Sequence, residues 1–207
     1  MDNSSSLRHA VRAPGRPREF EIDDALDKAI VVFCERGYHA ASISELKDAM
    51  GLAAGSLYKA FKDKKAIFLA AFDRYKQVRN AVLDRELQKG ADGRDKVLRM
   101  LGVYAEASLG DMGQRGCLVI GTAVELGAYD AEAAERVHLS MSLTEELLRA
   151  LIREGQADGS IPPSVNAQST ARLLLSLIYG LRVLGKTQPE PEQAYCVVET
   201  AMKLLDR

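Results

Sequence analysis

Apolar residues recur at intervals of three and four along nearly the whole of this sequence, and this periodicity restricts the fold more than any other feature. An α-helix has about 3.6 residues per turn, so that spacing places the apolar side chains on one face. No convincing alternating run between hairpin turns, which would indicate a β-strand, interrupts the pattern. The sequence therefore predicts an all-α fold.

Capping residues indicate where the first helices begin and end. A first helix is predicted to begin just after Ile22 and to stop at Gly37, because glycine favours the backbone conformation that ends a helix. Ser42 and Glu45 have the spacing of a capping box, so a second, short helix is expected to begin there. A third short helix follows Gly51 almost at once. Two short helices joined by a glycine-containing turn predict a helix-turn-helix unit.

A long fourth helix is predicted from Lys64 to near Gly90, with Asp63 as its capping residue. Turn residues divide the rest of the chain into about five further helices, with loops at residues 90–93, 111–116, 127–130 and 158–166. The expected organisation has three parts, which are a flexible basic arm at 1–21, a helix-turn-helix domain at 22–66 and a helical domain at 67–207.

Charge is distributed unevenly along the chain. Residues 1–80 contain 14 Lys and Arg against 11 Asp and Glu, whereas residues 81–207 contain 14 against 18. A basic N-terminal region indicates contact with a polyanion.

The third helix has the composition needed to read double-stranded DNA. Such a helix lies in the major groove, so its outward side chains must be small or polar and its flanks must hold phosphates. Small residues lead it, and side chains that can donate to phosphate follow: the small residues are Ala53, Ala54, Gly55 and Ser56, and the donors are Tyr58, Lys59, Lys62 and Lys64. The N-terminal amides of the fourth helix offer a further phosphate site. A short αα-corner that leaves its lysines in solvent explains the same pattern equally well.

Arginines also precede this domain, in the segment Pro14-Gly15-Arg16-Pro17-Arg18. Its prolines prevent helix continuation, so the segment has the composition of an extended arm. Arg16 and Arg18 are candidates for the narrow, electronegative minor groove of A·T-rich DNA, and the Gly-Arg-Pro core is similar to that of AT-hook peptides. A disordered tail with incidental arginines is the alternative.

Several residues of the first third occur together in one characteristic spacing: Ala29-x-x-x-Phe33, Gly37-Tyr38, Ser42-Ile43, Gly51, Ser56-Leu57-Tyr58, Phe61 and Lys64. This set resembles the N-terminal signature of the TetR family of bacterial transcriptional regulators. The resemblance implies a repressor that binds a palindromic operator in double-stranded DNA as a homodimer. It also implies release of that operator when a small-molecule effector binds the C-terminal domain.

The resemblance assigns roles to single residues as well. It implies that Ser42 and Tyr58 touch the DNA backbone and that Lys64 begins the fourth helix at a phosphate. Ala54 corresponds to a position that usually reads a base edge. Family members often have a longer polar residue in that stretch, whereas alanine offers only methyl contacts, for instance to thymine.

Candidate walls of an effector pocket are apolar and aromatic residues on the predicted inner faces of the fourth to eighth helices: Phe72, Tyr75, Met100, Tyr104, Cys117, Ile120, Val124, Met141 and Tyr179. Each of them could equally be an ordinary core residue. Glu125 is the charged exception. We expect it either at a solvated helix rim or as a polar anchor for a cationic or hydroxylated effector.

The last two predicted helices, at residues 167–185 and 190–205, are too apolar to be covered within one chain. The first carries apolar residues on nearly all sides, and the second repeats them along its length. Monomers rarely expose large apolar patches, and Ser176 and Gly180 permit a close helix approach. We therefore expect a homodimer through these helices, and the TetR resemblance implies the same arrangement.

Three cysteines, Cys34, Cys117 and Cys196, show neither a disulfide framework nor a CxxC spacing, which fits a reducing cytoplasm. Cys34 and Cys196 are expected on helix core faces. Cys117 follows Gly116 and is predicted in the first turn of a helix, where the helix dipole can stabilise a thiolate. Some TetR-like regulators with a Gly-Cys pair resemble redox sensors, so a cysteine-based regulator is an alternative to an inert buried thiol.

The sequence argues against several other classes of protein. His9, His39 and His138 lie in separate segments, and there is no HExxH motif or Ser/His/Asp arrangement, so no enzyme activity, metal or cofactor is expected. No apolar run approaches the ~18 residues of a membrane span, and the N-terminal residues lack the apolar centre of a secretory signal. A helical adaptor that binds only protein is the other function class that the pattern allows.

Overall fold

The computed structural model describes residues 18–206, and for residues 18–21 it describes the backbone alone. These residues form α-helices and no β-strand, which confirms the all-α prediction. None of the described helices is long and apolar enough to cross a membrane. The helices are α1 (Arg18–Ala40), α2 (Ile43–Met50), α3 (Ala54–Ala60), α4 (Lys64–Leu87), α5 (Gly93–Glu106), α6 (Gly110–Arg115), α7 (Leu118–Glu125), α8 (Ala131–Asp158), α9 (Ala167–Leu184) and α10 (Pro191–Met202), with short 3₁₀ turns after the last two.

The caps of the helix-turn-helix region lie where the sequence predicts them. The Ser42 hydroxyl accepts a hydrogen bond from the Glu45 amide at 3.1 Å, and the Ser42 amide donates to the Glu45 carboxylate at 2.9 Å. Gly51 ends α2 in the left-handed region, with φ of 68°. Asp63 caps α4 by accepting from the Ala66 amide at 2.8 Å. These bonds satisfy backbone groups that helix ends leave unpaired, and they set the short turns on either side of α3.

Two predicted boundaries are wrong. Helix α1 begins at Arg18 rather than after Ile22, so residues 18–21 are helical and do not belong to an extended arm. Proline restricts the residue before it but tolerates a helix that follows it, so Pro17 gives no reason to start the helix later. The loop expected at 111–116 is mostly the short helix α6. It has no side-chain cap at Leu109, and the sequence therefore carries no signal for its start.

The core of the described residues consists of two apolar clusters. One apolar cluster joins α1, α2, α3 and the first half of α4 to α7 and the start of α8. A second cluster joins α5, most of α8, α9 and α10 to the end of α4. Tyr179 packs against both clusters. The helix-turn-helix region therefore shares buried surface with the C-terminal region well beyond the boundary expected at residue 66.

Helix α1 is broken at Gly37, and helix α7 contacts it at the break. Gly37 has φ of 77° and ψ of 173°, so the prediction that it interrupts the helix is confirmed. A Cβ atom at this position would lie 2.1 Å from Oε1 of Glu125. The other oxygen of that carboxylate accepts a hydrogen bond from the His39 amide at 3.2 Å. Glu125 thus ties α7 to the end of α1, and its role as an anchor for an effector stays a prediction.

Replacing Gly37 by alanine is expected to destabilise the protein by about 1–3 kcal/mol, because the new side chain meets both an unfavourable φ and the Glu125 carboxylate. Chemical denaturation with matched slopes measures the change. Adding Glu125→Ala to Gly37→Ala removes the collision but not the backbone strain, so it should recover only part of the loss. The control is Gly102→Ala in α5, where a Cβ meets nothing within 4 Å. Equal effects at Gly37 and Gly102 would disprove this account of the break.

Candidate nucleic-acid interface and effector sites

Helix α3 exposes nearly all of its surface. Leu57 is its buried residue and packs into the N-terminal core. The small residues ahead of it are exposed, and a Cβ built on Gly55 would meet nothing within 4 Å. Tyr58 is 60% exposed despite its aromatic ring. A helix that is held by one buried side chain, with a small and polar outer face, has the shape required to enter a major groove.

The lysines between residues 59 and 65, which include the three expected at phosphates, separate into two pairs with different surroundings. Lys59 and Lys62 are exposed, and neither forms an ion pair or hydrogen bond with another residue in the described part of the chain. Lysines without a partner on the flank of a reading helix are suited to neutralise phosphates.

Lys64 and Lys65 are instead used inside the protein. The Lys64 ammonium donates to the carbonyl oxygens of Tyr38, His39 and Ala41 at 2.9, 3.3 and 3.0 Å, and it lies 4.6 Å from the centre of the Tyr38 ring. Lys65 pairs with Asp130 at 2.7 Å and with Glu132 at 3.4 Å. The phosphate role that the sequence assigned to the Lys64 side chain therefore competes with three hydrogen bonds that hold α1 to α4.

The remaining residues expected at DNA have mixed positions. Ser42 is exposed, and its hydroxyl, which accepts the capping-box hydrogen bond, can still donate its proton to a phosphate. The Asp63 carboxylate occupies the N-terminal turn of α4 at the Ala66 amide, which reduces the attraction of that turn for a phosphate. Arg18 lies in the first turn of α1. Arg16 lies outside the described residues.

The nine residues predicted to line an effector pocket do not form one wall. Phe72 and Met100 are core residues, with 2% and 0% exposed, which favours the alternative that they serve in packing. Tyr75, Tyr104, Met141 and Tyr179 are half-buried against the two cores: Tyr104 packs on the second, Tyr75 and Met141 on the first, and Tyr179 on both. Burial raises the pKa of the Tyr75, Tyr104 and Tyr179 phenols, so they stay neutral at physiological pH.

Cys117, Ile120 and Val124 line a cavity of about 410 Å³ that we call the joint cavity. Its other walls are residues 33–38 of α1, Phe68 of α4, the rest of the facing surface of α7, Arg182 and Val183 near the end of α9, and Lys186 in the 3₁₀ turn after it. The sequence did not indicate the α1 wall, since α1 was assigned wholly to DNA binding. Only the packing of α7 on α1 brings these segments together.

The three cysteines differ in environment. Cys34 also lines the joint cavity, and burial, followed by the nearby Cys117, raises the pKa of its thiol to about 12. Cys117 is the residue just before the first turn of α7, and its sulfur accepts a hydrogen bond from the Tyr75 hydroxyl at 3.6 Å. Cys196 is exposed, so its predicted place on a core face is wrong. The described residues contain no group of three or more His, Cys, Asp or Glu that could hold a metal ion.

Comparison with known proteins finds family matches for both the N-terminal and the C-terminal region of the chain. The family model for "Bacterial regulatory proteins, tetR family" matches residues 25–71, and that for "Tetracyclin repressor-like, C-terminal domain" matches residues 93–199. The HTH-type transcriptional repressor ComR of Escherichia coli (strain K12) is 27% identical over 205 residues, which cover 97% of this chain and 96% of ComR. The HTH-type transcriptional regulator UidR of the same strain is 30% identical over 156 residues, 75% of this chain and 76% of UidR.

Solved structures extend the likeness to a complex with DNA. A cysteine mutant of the TetR family transcriptional regulator CifR, complexed with 26-bp double-strand operator DNA, is 30% identical, has a TM-score of 0.78, and is matched over 91% of this chain and 98% of that chain. The signature of the first third, the exposed reading helix and these matches lead to one assignment. The chain is a DNA-binding transcriptional regulator and belongs to the TetR family of bacterial regulatory proteins.

Proposed function

We propose that this chain is a cytoplasmic, homodimeric repressor that binds a palindromic operator and leaves it when a small molecule binds the C-terminal region. The observation that carries the proposal is the exposed face of α3, flanked by two lysines that have no partner among the described residues. ComR, a relative over nearly the full length, is named a repressor, and CifR is seen on operator DNA.

A continuous apolar face of α9 supports the dimer. Leu173, Val183 and Leu184 are 51%, 53% and 54% exposed. Leu173, Leu177, Gly180 and Leu184 are three or four residues apart and therefore lie on one side of the helix. A Cβ on Gly180 would meet nothing within 4 Å, so a second helix can approach closely there. We expect the α9 and α10 helices of two chains to cover this face together.

The dimer also explains specificity and response. Two copies of α3 about one DNA turn apart double the contacts on a palindrome, which offsets the weak base readout of Ala53 and Ala54. An effector that favours a different separation of the two reading helices weakens DNA binding, and a coupling free energy of about 1–3 kcal/mol is enough for a useful response. We propose Arg16 as an additional contact to the minor groove.

Replacing Lys59 and Lys62 together by alanine should weaken binding to every duplex and reduce the salt dependence of the association constant. If each lysine neutralises one phosphate, the slope of log K against log salt falls by about two units. Fluorescence anisotropy with a duplex selected by the wild-type protein from random DNA measures it. Lys65→Ala is the matched control, because Lys65 is paired with Asp130 and Glu132. An unchanged slope in the double variant would remove both lysines from the interface.

Placing a carboxylate in the α9 face should prevent dimerisation, because two buried like charges would face each other without partners. Leu173→Glu and Leu184→Glu are expected to sediment as monomers and to lose operator binding while keeping their helix content. Leu139→Glu, at a similarly exposed leucine of α8, should stay dimeric. A monomeric wild-type protein that binds its operator fully would contradict the proposal.

A thiol-based response is the second candidate, favoured by the Tyr75 hydrogen bond to Cys117 at the start of α7. Under this alternative, hydrogen peroxide should lower operator binding of the parent protein but not of Cys117→Ser. Both proteins should carry Cys196→Ser, because an exposed thiol can crosslink chains. Equal loss in both proteins, or no loss in either, would leave a noncovalent effector as the signal.

A further inference from the structure

Arg182 of α9 is a buried cation without a carboxylate partner. Its side chain is 3% exposed, and Nη2 donates to the carbonyl oxygens of Gly116 at 2.5 Å and Met112 at 3.5 Å. Nη1 is buried and has no hydrogen-bond partner among the described residues. A buried guanidinium that lacks both a counter-ion and a full set of acceptors is costly, so it is ordinarily retained where an anion completes it.

Arg182 belongs to the wall of the joint cavity. The volume of about 410 Å³ lies in the range of small-molecule sites, and the aromatic rings of Phe33, Tyr38 and Phe68 form part of the wall. A wall that combines aromatic rings with a buried cation lacking a counter-ion is suited to a ligand with an apolar body and an anionic group.

The other charged residues of this wall already have partners. Arg36 lies 3.8 Å from Glu45, and Glu35 lies 3.5 Å from Arg115. Lys186 donates to the Arg115 carbonyl at 3.3 Å, and Glu125 accepts from the His39 amide at 3.2 Å. Among the charged groups of the joint cavity, Arg182 is therefore the one with a buried donor left over within the described structure.

We propose that the joint cavity binds a small organic carboxylate with an apolar body, and that Arg182 is its counter-ion. The guanidinium would keep Nη2 on the Gly116 carbonyl and supply the positive charge that balances the carboxylate. The inference deepens the proposed function by naming the site and chemical class of the effector, and its regulatory consequence rests on that function.

The position of the cavity gives binding a direct path to DNA. Its walls come from α1, which packs against α2 and α4 of the DNA-binding region, and from α7 and α9 of the C-terminal region. Glu125, which also lines it, ties α7 to the break in α1. A ligand that binds more tightly when α1 and α7 are farther apart must shift the protein toward that state. At saturation, the equilibrium constant between the two states changes by the ratio of the ligand's affinities for them.

The test measures carboxylate binding without DNA. Isothermal titration of the full-length protein compares phenylacetate with phenylacetamide, and octanoate with octanamide. At least one acid should bind about tenfold or more tightly than its amide, the value expected for a charge-assisted hydrogen bond. Arg182→Gln should abolish that preference, whereas Arg153→Gln, which removes the same charge from an exposed site on α8, should keep it. No preference in the wild type, or a preference that survives Arg182→Gln, would overturn the proposal.

Arg182→Gln also removes the hydrogen bond to Gly116 and could unfold the protein, so a second measurement uses the wild type. Crystals grown in sodium bromide should show an anomalous bromide peak in the joint cavity beside the Arg182 guanidinium, and the absence of such a peak would overturn the proposal as well. Because neither measurement involves DNA, the outcomes are separable. Carboxylate binding without DNA binding would refute the proposed function alone, and DNA binding without carboxylate binding would refute this inference alone.

Discussion

The break in α1 at Gly37 is the constraint on which the arrangement of this molecule depends. A helix that stops there leaves backbone carbonyls and amides without helical partners. Lys64 of α4 donates to the carbonyls of Tyr38, His39 and Ala41, and Glu125 of α7 accepts from the amide of His39. A cation at the carbonyls and an anion at the amide match the local dipoles. One interruption of a helix thereby joins α1 to the helix that follows the reading unit and to a helix of the C-terminal region.

These contacts at the break in α1 explain why neighbouring lysines differ in their availability for DNA. Lys64 hydrogen-bonds to the end of α1, and Lys65 forms ion pairs at the start of α8. Both lysines thereby hold the start of α4, and with it the end of α3, against the rest of the protein. Lys59 on α3 and Lys62 in the turn after it are exposed and remain available for phosphates. The contacts of Lys64 and Lys65 therefore help to fix the position from which Lys59 and Lys62 extend. A helix held by a single buried leucine, Leu57, needs such support to present its outer face in a defined direction.

Because the N-terminal core includes residues of α7, an effector bound beside α7 would contact the DNA-binding region directly. Pockets deep in the C-terminal region would act on DNA binding through several helices. The joint cavity has walls from both α1 and α7. The buried guanidinium of Arg182, which also lines this cavity, donates to the Gly116 carbonyl in the turn before α7. Under the proposed effector binding, a ligand in this cavity would act directly on the contact between α1 and α7.

The sequence by itself determined the features that depend on local interactions. Helical periodicity specified the all-α fold, and the capping residues Ser42, Glu45 and Asp63 specified the starts of α2 and α4, because each bond spans only three residues. The glycine at position 37 marked the break. The spacing of residues in the first third was enough to indicate the family, because those residues form one compact unit.

Only the tertiary structure decided which side chains are free and which are used. Lys64 and Lys59 have the same chemistry in sequence, but the partners of Lys64 lie 23 to 26 residues away and those of Glu125 lie 86 away. The joint cavity combines segments from α1, α4, α7 and α9, none of which alone has the pattern of a binding site. Packing between distant segments also decides that Arg182 is buried and Cys196 exposed, although both lie on similarly apolar helices. Periodicity determines which face of a helix is apolar, but the partner that covers that face is chosen by packing between distant segments.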